Sequence, residues 1–557
     1  MTQDPRPSRR DLGRGTLALL LGGAAAGSCA RPGSAARRRS IPGGYVDDGV
    51  GVGHALRDGS LRAGSRAARE RRRVVVVGGG VAGLSAAWRL ARAGWEDVTV
   101  LELAREIGGT SRGGTFSAPG GPRVPHPFGA HYLPLPRHEQ AAVRAFLEDA
   151  GIARGVDARG RVRVADELLV RDPVERVAGP GGFFQEGLWP GQGMSARDAA
   201  ELERFEEIVL EHLAVDPADG KRLFQLPLAH SSAAARGLDG TSAAAWFDVR
   251  GFTSERLRWY LEYATRDDFG ARLEDSSAWA LMHYFTARAD LGTGRSAPYL
   301  TWPEGNARLV RHLAEVAGVE IRTGEVAVAV APEARGASVR TVAPGDGGRT
   351  TQWDADAVVL AVPQFVAARL LPDDPAREAR RSFRYGPWLV VNLHLERPPE
   401  QRGFPRAWDS VLVGSESLGY VDAGHQLDRD DRRGTVWTWY LPVTDPDERA
   451  ARAAMLSAPF EAVQRAVLDD LRRAHPDIDE VVVHMDAWRW GHAMVKPTPG
   501  FLWEADARVR AAAPLGDVHF AHSDLSGIAL FEEAHWQGTR AAEDVLRRAG
   551  ALDEVLA

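Results

Sequence analysis

Three glycines, Gly78, Gly80 and Gly83, form a G-x-G-x-x-G pattern between an apolar run at 74–77 and a segment of helical spacing. Each has a chemical reason. The first permits a tight turn, the second lets backbone approach a pyrophosphate, and the third lets the helix pack on the strand. Val81 and Ala82 begin the helix, where free N–H groups face a phosphate. Glu102, with Leu103 beside it, closes the next apolar run. It lies about 20 residues past the turn, where a carboxylate accepts from ribose hydroxyls and disfavours a 2′-phosphate. These residues predict a bound dinucleotide and do not separate NAD from FAD. A second group lies in WRWGHAMVKPTPG, which offers Trp488, Trp490, His492 and Lys496 as candidate catalytic residues. A desolvated lysine acts as a base; the alternative is a tryptophan-rich core segment with an exposed lysine. His131, in FGAHYLP, either touches a ligand or is satisfied by loop carbonyls. No paired-carboxylate site, Ser/His/Asp set or histidine cluster with metal-ligand spacing stands out, so no metal is expected.

The elements that must position these residues follow from periodicity. The run 74–77 reads as a parallel strand buried on both faces. The helix after it places Leu84, Ala87, Leu90 and Ala91 on one face, and Gly94 is placed to end it. A second strand covers 98–101. Residues 141–299 read mainly as helices, with RDAAELERFEEIVLEHL the clearest amphipathic one. From Pro303 the α/β pattern returns: helix NARLVRHLAEVAG, then strands VEIRT, EVAVAVA, SVRTV and DAVVLAVP. LVVNLHLE and TVWTWYLP alternate as sheet strands do. DVHFAHSD and a helix from about Phe531 to Gly550 close the chain.

Directly after Glu102 comes LAREIGGTSRGG, with paired Gly108 and Gly109. Here the chain resembles the flavin amine oxidase and phytoene desaturase superfamily, and further pieces match in order: FGAHYLP, WPEGNARLVRHLAE, the strand at Val326, DAVVLAVP, and VHFAHSDLSGIALFEEAHWQGTRAAEDVL. The resemblance implies FAD. Gly108, Gly109, Thr110 and Ser111 would pass its pyrophosphate, Val326 its adenine, and Ser523 and Asp524 its ribityl or phosphate side. Glu532, Glu533 and Ala534 would form the turn under the flavin ring. It also implies an α/β fold: a Rossmann-type FAD-binding domain of discontinuous segments (73–140, 300–375 and 485–557) plus a mixed α+β substrate domain (141–299 and 376–484). The chain departs from the family pattern at several positions. The lysine expected near flavin N5 corresponds to Val390, and the aromatic pair beside the flavin to Ala493 and Leu530. An arginine after the glycine doublet is replaced by Thr110, with Arg112 nearby, and His522 replaces a glycine. The expectation is hydride transfer from a C–C or C–N bond of a largely apolar small molecule to flavin N5. The rivals are a peroxide-forming amine oxidase, a redox-neutral isomerase, and a non-enzymatic flavoprotein.

The totals agree with a large globular protein. At 557 residues more than one packed unit is expected, and a net charge of -6 argues against nucleic acid as partner. One cysteine, Cys29, excludes an internal disulfide framework. It ends a short apolar run behind Arg9, Arg10 and Arg14, the layout of an export signal over 1–29. SRRDLG resembles a twin-arginine signal, implying the twin-arginine export machinery as partner and an exported, periplasmic or envelope-associated protein. AGSC resembles a lipobox, so Cys29 is either a lipid anchor or lost with the signal. Residues 30–72 are basic and Gly/Ala/Ser-rich and read as a flexible linker, although GHALRDG from Gly53 is less random and is a candidate to dock on the body.

Overall fold

The computed structural model describes residues 40–61, 67–117, 123–157, 162–289, 298–427 and 434–557. The expected export signal and Cys29 lie outside them. Two sheets organise the described chain. The first is built on strand Ala68–Val77, which pairs in parallel with Val98–Glu102 on one side and with the long strand Arg349–Leu360 on the other. Glu320–Thr323 extends one edge in parallel, Ala337–Ala343 and Val326–Pro332 extend the other as an antiparallel meander, and Val518–Phe520 pairs with residues 358–360. Val74, Val75 and Val76 are fully buried, as a strand covered on both faces requires. Helices Val81–Arg92, Ala307–Ala317 and Phe531–Arg548 pack together on this sheet, and their core contains Leu84, Trp88, Leu309, Leu313, Phe531 and Leu546. Each such Leu or Val contributes roughly 1.5–3 kcal/mol when fully buried.

The second sheet runs Gly43–Tyr45, Val482–Val495, Tyr385–Leu395, Thr435–Pro442, Gly419–Asp422, Asp409–Leu412, Glu175–Ala178, Phe184–Glu186. Its strands alternate. Leu389, Val391, Leu393 and Leu395 pack outward with Val463, Val467 and Leu471 of helix Phe460–Leu471. Trp388 turns to the other face, where it clusters with Val177, Val411, Tyr440 and Trp490. That inner face looks toward the first sheet.

Two expectations on domain limits need correction. Residues 485–495, read with the FAD-binding segments, lie within the second sheet, because Val482–Val495 pairs along Tyr385–Leu395. The linker expected over 30–72 is structured in large part. Gly43–Tyr45 pairs in parallel with Met485–Ala487, Val50–Arg57 is a helix, and the central strand begins at Ala68. Sparse apolar content concealed this: only Ile41 and Tyr45 join the core of the second sheet, and polar contacts hold much of the rest. The Asp47 carboxylate accepts from Arg489 Nε at 2.9 Å and the Tyr45 hydroxyl donates to Ala458 O at 2.6 Å.

Candidate active site

The glycine turn has the form its chemistry needs. Gly78 adopts φ +108°, and a side chain there would stand 2.4 Å from Ala361 O. At Gly83 an added Cβ would come within 1.8 Å of Gly78 O, so only glycine lets this helix sit on this strand. Beside Gly80 the space is open: the nearest atom to an added Cβ is Gly109 Cα, at 4.0 Å. The helix N-terminus opens on this space without a side-chain cap. Gly108 N donates to Gly79 O at 2.8 Å, which sets the glycine doublet against the turn. Thr110 is exposed there and Ser111 is buried. Glu102 accepts from Gly79 N at 2.7 Å and from Ala104 N at 2.8 Å. Burial pushes its carboxyl up, against those two amides. Val326, buried, starts the strand beyond Glu102, and Glu325 N donates to Glu102 O at 2.9 Å. The N-terminal segment edges this cradle. Asp48 accepts from Arg105 N at 3.0 Å and lies 3.7 Å from Arg112, and Gly49 abuts Leu103.

Farther along the cleft, the Arg112 guanidinium lies 4.6 Å from the Trp488 ring and 5.7 Å from that of Trp490. The two indoles stack at 4.8 Å, and Trp490 Nε1 donates to Phe128 O at 2.8 Å. Trp490 therefore ties the second sheet to the loop that carries His131. Val390 is buried in register between Tyr440 and Trp488, so this wall presents no amine. His492 is exposed and stacks on Phe365 at 4.2 Å. Desolvation pushes its pKa down to about 3, so its ring is neutral. His131 is buried, packs edge-on to Tyr440 at 5.1 Å, and has a pKa of about 3 through desolvation. Its Nε2 has no hydrogen-bond partner, so the loop carbonyls do not satisfy it.

Lys496 does not join this group. It is 1% exposed, and its Nζ donates to Glu448 Oε1 at 2.8 Å. An ammonium so paired holds helix Glu448–Ser457 to the end of strand Val482–Val495 and is no base. Asp524 accepts from Tyr385 Oη at 2.6 Å and Gln364 N at 2.8 Å, which knits the flavin segments to the second sheet, and Ser523 is buried beside it. Glu533 accepts from Leu228 N at 2.6 Å. Neither oxygen of Glu532 has a hydrogen-bond partner, and Arg288 lies 3.6 Å away. Ala534 continues the helix.

A profile of the flavin-containing amine oxidoreductase family matches residues 81–546. The chain belongs to this family. It is an FAD-dependent oxidoreductase. Its fold is similar to that of a putrescine oxidase variant (TM-score 0.63, 18% identity, covering 86% of this chain and 100% of that one). Cyclohexylamine oxidase from Brevibacterium oxydans IH-35A gives 0.59 at 17% identity, covering 86% and 99%. A CLA-producing fatty acid isomerase from P. acnes gives 0.58 at 15%, covering 86% and 98%. No curated protein matches the sequence. The family's cofactor fits the residues present. The open cradle beside Gly80, the uncapped helix N-terminus and the Glu102 carboxylate suit the adenosine diphosphate half of FAD.

Beyond the His131 loop lies a group that sequence reasoning missed. Glu175 and Asp409 are register partners on adjacent parallel strands, so their carboxylates project from one face side by side. Helix Glu255–Phe269 brings Tyr260, Tyr263, Asp267 and Asp268 toward them; Tyr263 Oη lies 3.5 Å from Asp409 Oδ2. Arg288 pairs with Asp268 at 3.3 Å and reaches on to Glu532, while its guanidinium sits 5.8 Å from the Tyr132 ring. Among the described residues, no lysine or arginine forms an ion pair with Glu175, Asp267 or Asp409. Burial pushes Glu175 and Asp267 up to about 7 and Asp409 well above its usual value, with mutual repulsion adding to the latter two. All three keep partial solvent access. The group is acidic and tyrosine-rich. Its members are scattered along the chain, and only Tyr260, Tyr263 and Asp267, at helical spacing, gave a local signal.

Proposed function

We propose that the enzyme oxidises a C–N bond of an amine that carries a second, distal ammonium. The observation that carries this reading is the trio Glu175, Asp267 and Asp409, desolvated and, among the described residues, in no direct ion pair with a lysine or arginine, with Arg288 near Asp267 but paired to Asp268. Carboxylates crowded in a low-dielectric space hold protons until a cation arrives. An ammonium among them is attracted strongly, and Tyr260 and Tyr263 add ring faces that favour cations. The amine that reacts must be neutral, so the acidic group suits the far end of a diamine or polyamine. The putrescine oxidase fold is consistent with this.

FAD, held by the Gly78–Gly83 turn, Glu102 and the Gly108–Gly109 pair, would supply the hydride-accepting chemistry. The chain's own residues bind, orient and exclude water. Glu175, Asp267 and Asp409 fix the distal ammonium. Tyr440, Trp388 and Trp490 form a dry wall. The buried, unpartnered Nε2 of His131, edge-on to Tyr440, is a hydrogen-bond group available beside this wall. Val390, in the position the resemblance gives to a lysine, leaves that wall without an amine. This supports an acceptor other than oxygen.

Anaerobic mixing with putrescine, spermidine, cyclohexylamine and an unsaturated fatty acid tests the reading through flavin absorbance. Bleaching by the diamine or triamine at concentrations where cyclohexylamine does nothing is the expected result. Bleaching by none of the amines overturns it, and turnover of the fatty acid without bleaching identifies an isomerase. Slow recolouring in air supports the alternative acceptor.

The layout at Arg9, Arg10 and Cys29 supports export, with the mature enzyme in the periplasm or on the envelope. Replacing Arg9 and Arg10 by lysine should leave the protein in the cytoplasm.

A further inference from the structure

On the flank of the cleft, a hairpin of strands Gly113–Ser117 and Arg123–Pro127 lies against the second sheet. Three imidazoles and one carboxylate meet there. His394 is the register partner of His484, and Asp486 pairs with Asn392, one step along the same face. His394 Nε2 lies 3.1 Å from Asp486 Oδ2, and His484 Nε2 lies 2.8 Å from Asp486 Oδ1. The hairpin adds His126, whose ring centroid is 5.1 Å from that of His394. Gly114 is its cross-strand partner and leaves room for it: an added Cβ there would stand 3.0 Å from His126 Nε2. One donor atom each from His126, His394 and Asp486 all fall within 4.8 Å of one another. His126 and His394 are 2% and 0% exposed, and His394 Nδ1 has no hydrogen-bond partner.

We propose that His126, His394 and Asp486 bind a divalent transition metal ion, zinc in the first instance, with His484 held beside the site by its hydrogen bond to Asp486. No sequence pattern announced it, because the ligands come from three strands far apart in the chain. The donor chemistry is that of zinc sites, which take imidazole nitrogen and carboxylate oxygen in tetrahedral sets. Buried imidazoles are neutral, which is the ligating form. Asp486 already meets His394 and His484 through its two oxygens, yet His394 Nδ1 stays buried without a partner and His126 is packed against the same ring. A shared cation accounts for the whole arrangement. Phe116 covers it, 3.9 Å from the His394 ring, as an apolar lid on a structural site. The ion would staple the hairpin to the second sheet. The hairpin runs directly into Phe128 and the His131 loop, so the staple would hold one flank of the active site.

The test uses the full chain with its flavin. Chelator-treated protein is titrated with Zn2+ by calorimetry, and metal content is counted after dialysis. One Zn2+ per chain at micromolar affinity or better, with a higher thermal midpoint, is the expected result. His126→Gln should weaken binding at least 100-fold while the flavin spectrum stays unchanged. Asp486→Asn should do the same; if it fails to fold, His126→Gln alone decides. Failure to bind Zn2+, Co2+, Ni2+ or Cu2+ at micromolar concentration overturns the proposal. So does binding that survives His126→Gln.

Discussion

Replacing Asp267 by Asn should stabilise the protein and damage its substrate affinity together. Burial, and then repulsion from Asp268, raise the Asp267 carboxyl from 3.8 to about 7. A carboxyl raised in the folded state binds more protons folded than unfolded. Its effect is nil below about pH 4, and stability falls as pH climbs toward 7 and stays low above it. Asparagine carries no such penalty. One pK unit corresponds to about 1.4 kcal/mol, so the advantage of Asn should grow by at most roughly 3 kcal/mol between pH 5 and pH 8. Relief of repulsion on Asp268, Glu175 and Asp409 spreads this over several groups, leaving about 1–2 kcal/mol to be read directly. The assay is thermal unfolding of wild type and variant at both pH values, followed by flavin fluorescence. At pH 8 the variant should melt a few degrees higher, and at pH 5 the gap should narrow. Loss of one charged partner of a buried ammonium costs about 2–5 kcal/mol, so the diamine KM should rise roughly 30-fold or more. A variant equally stable at both pH values would show that Asp267 is not desolvated as described. Unchanged diamine KM would remove the carboxylate trio from substrate binding.

Other expectations concern the cradle, the lysine and the N-terminal segment. Gly83→Ala forces a Cβ to within 1.8 Å of Gly78 O, so the protein should be purified without flavin colour or not at all. Glu102→Ala leaves the amides of Gly79 and Ala104 without their acceptor and removes the ribose ligand, so FAD should dissociate at least tenfold faster on dilution. Lys496→Met leaves Glu448 with Arg384 as its remaining partner, so stability should fall by about 1–3 kcal/mol, measured in denaturant, with kcat per bound flavin unchanged; a collapse of kcat would return Lys496 to the active site. Deletion of residues 1–61 strips Asp48 and helix Val50–Arg57 from the edge of the cradle, and should speed exchange of bound FAD with free FAD.

The cofactor end is legible in the chain itself because its requirements are local. A turn that admits only glycine, a helix whose first amides must stay free, and a carboxylate one strand away leave marks at short, regular spacing. Gly78, Gly80, Gly83, Glu102 and the Gly108–Gly109 pair are such marks, and the alternating strands near 390 and 437 announce the second sheet in the same way. What stays hidden depends on pairing between distant segments. Nothing in the sequence puts Glu175 beside Asp409, or His126 beside His394. Parallel register does the first, and a hairpin docked on an antiparallel pair does the second. Lys496 shows the reverse: its rarity and its tryptophan-rich neighbourhood suggest chemistry, and only the position of Glu448 shows that its charge is spent in a structural pair. Local sequence thus determined which backbone could cradle a dinucleotide. Tertiary structure decided which charges were left without a partner, because desolvation and pairing depend on what surrounds a group from every side.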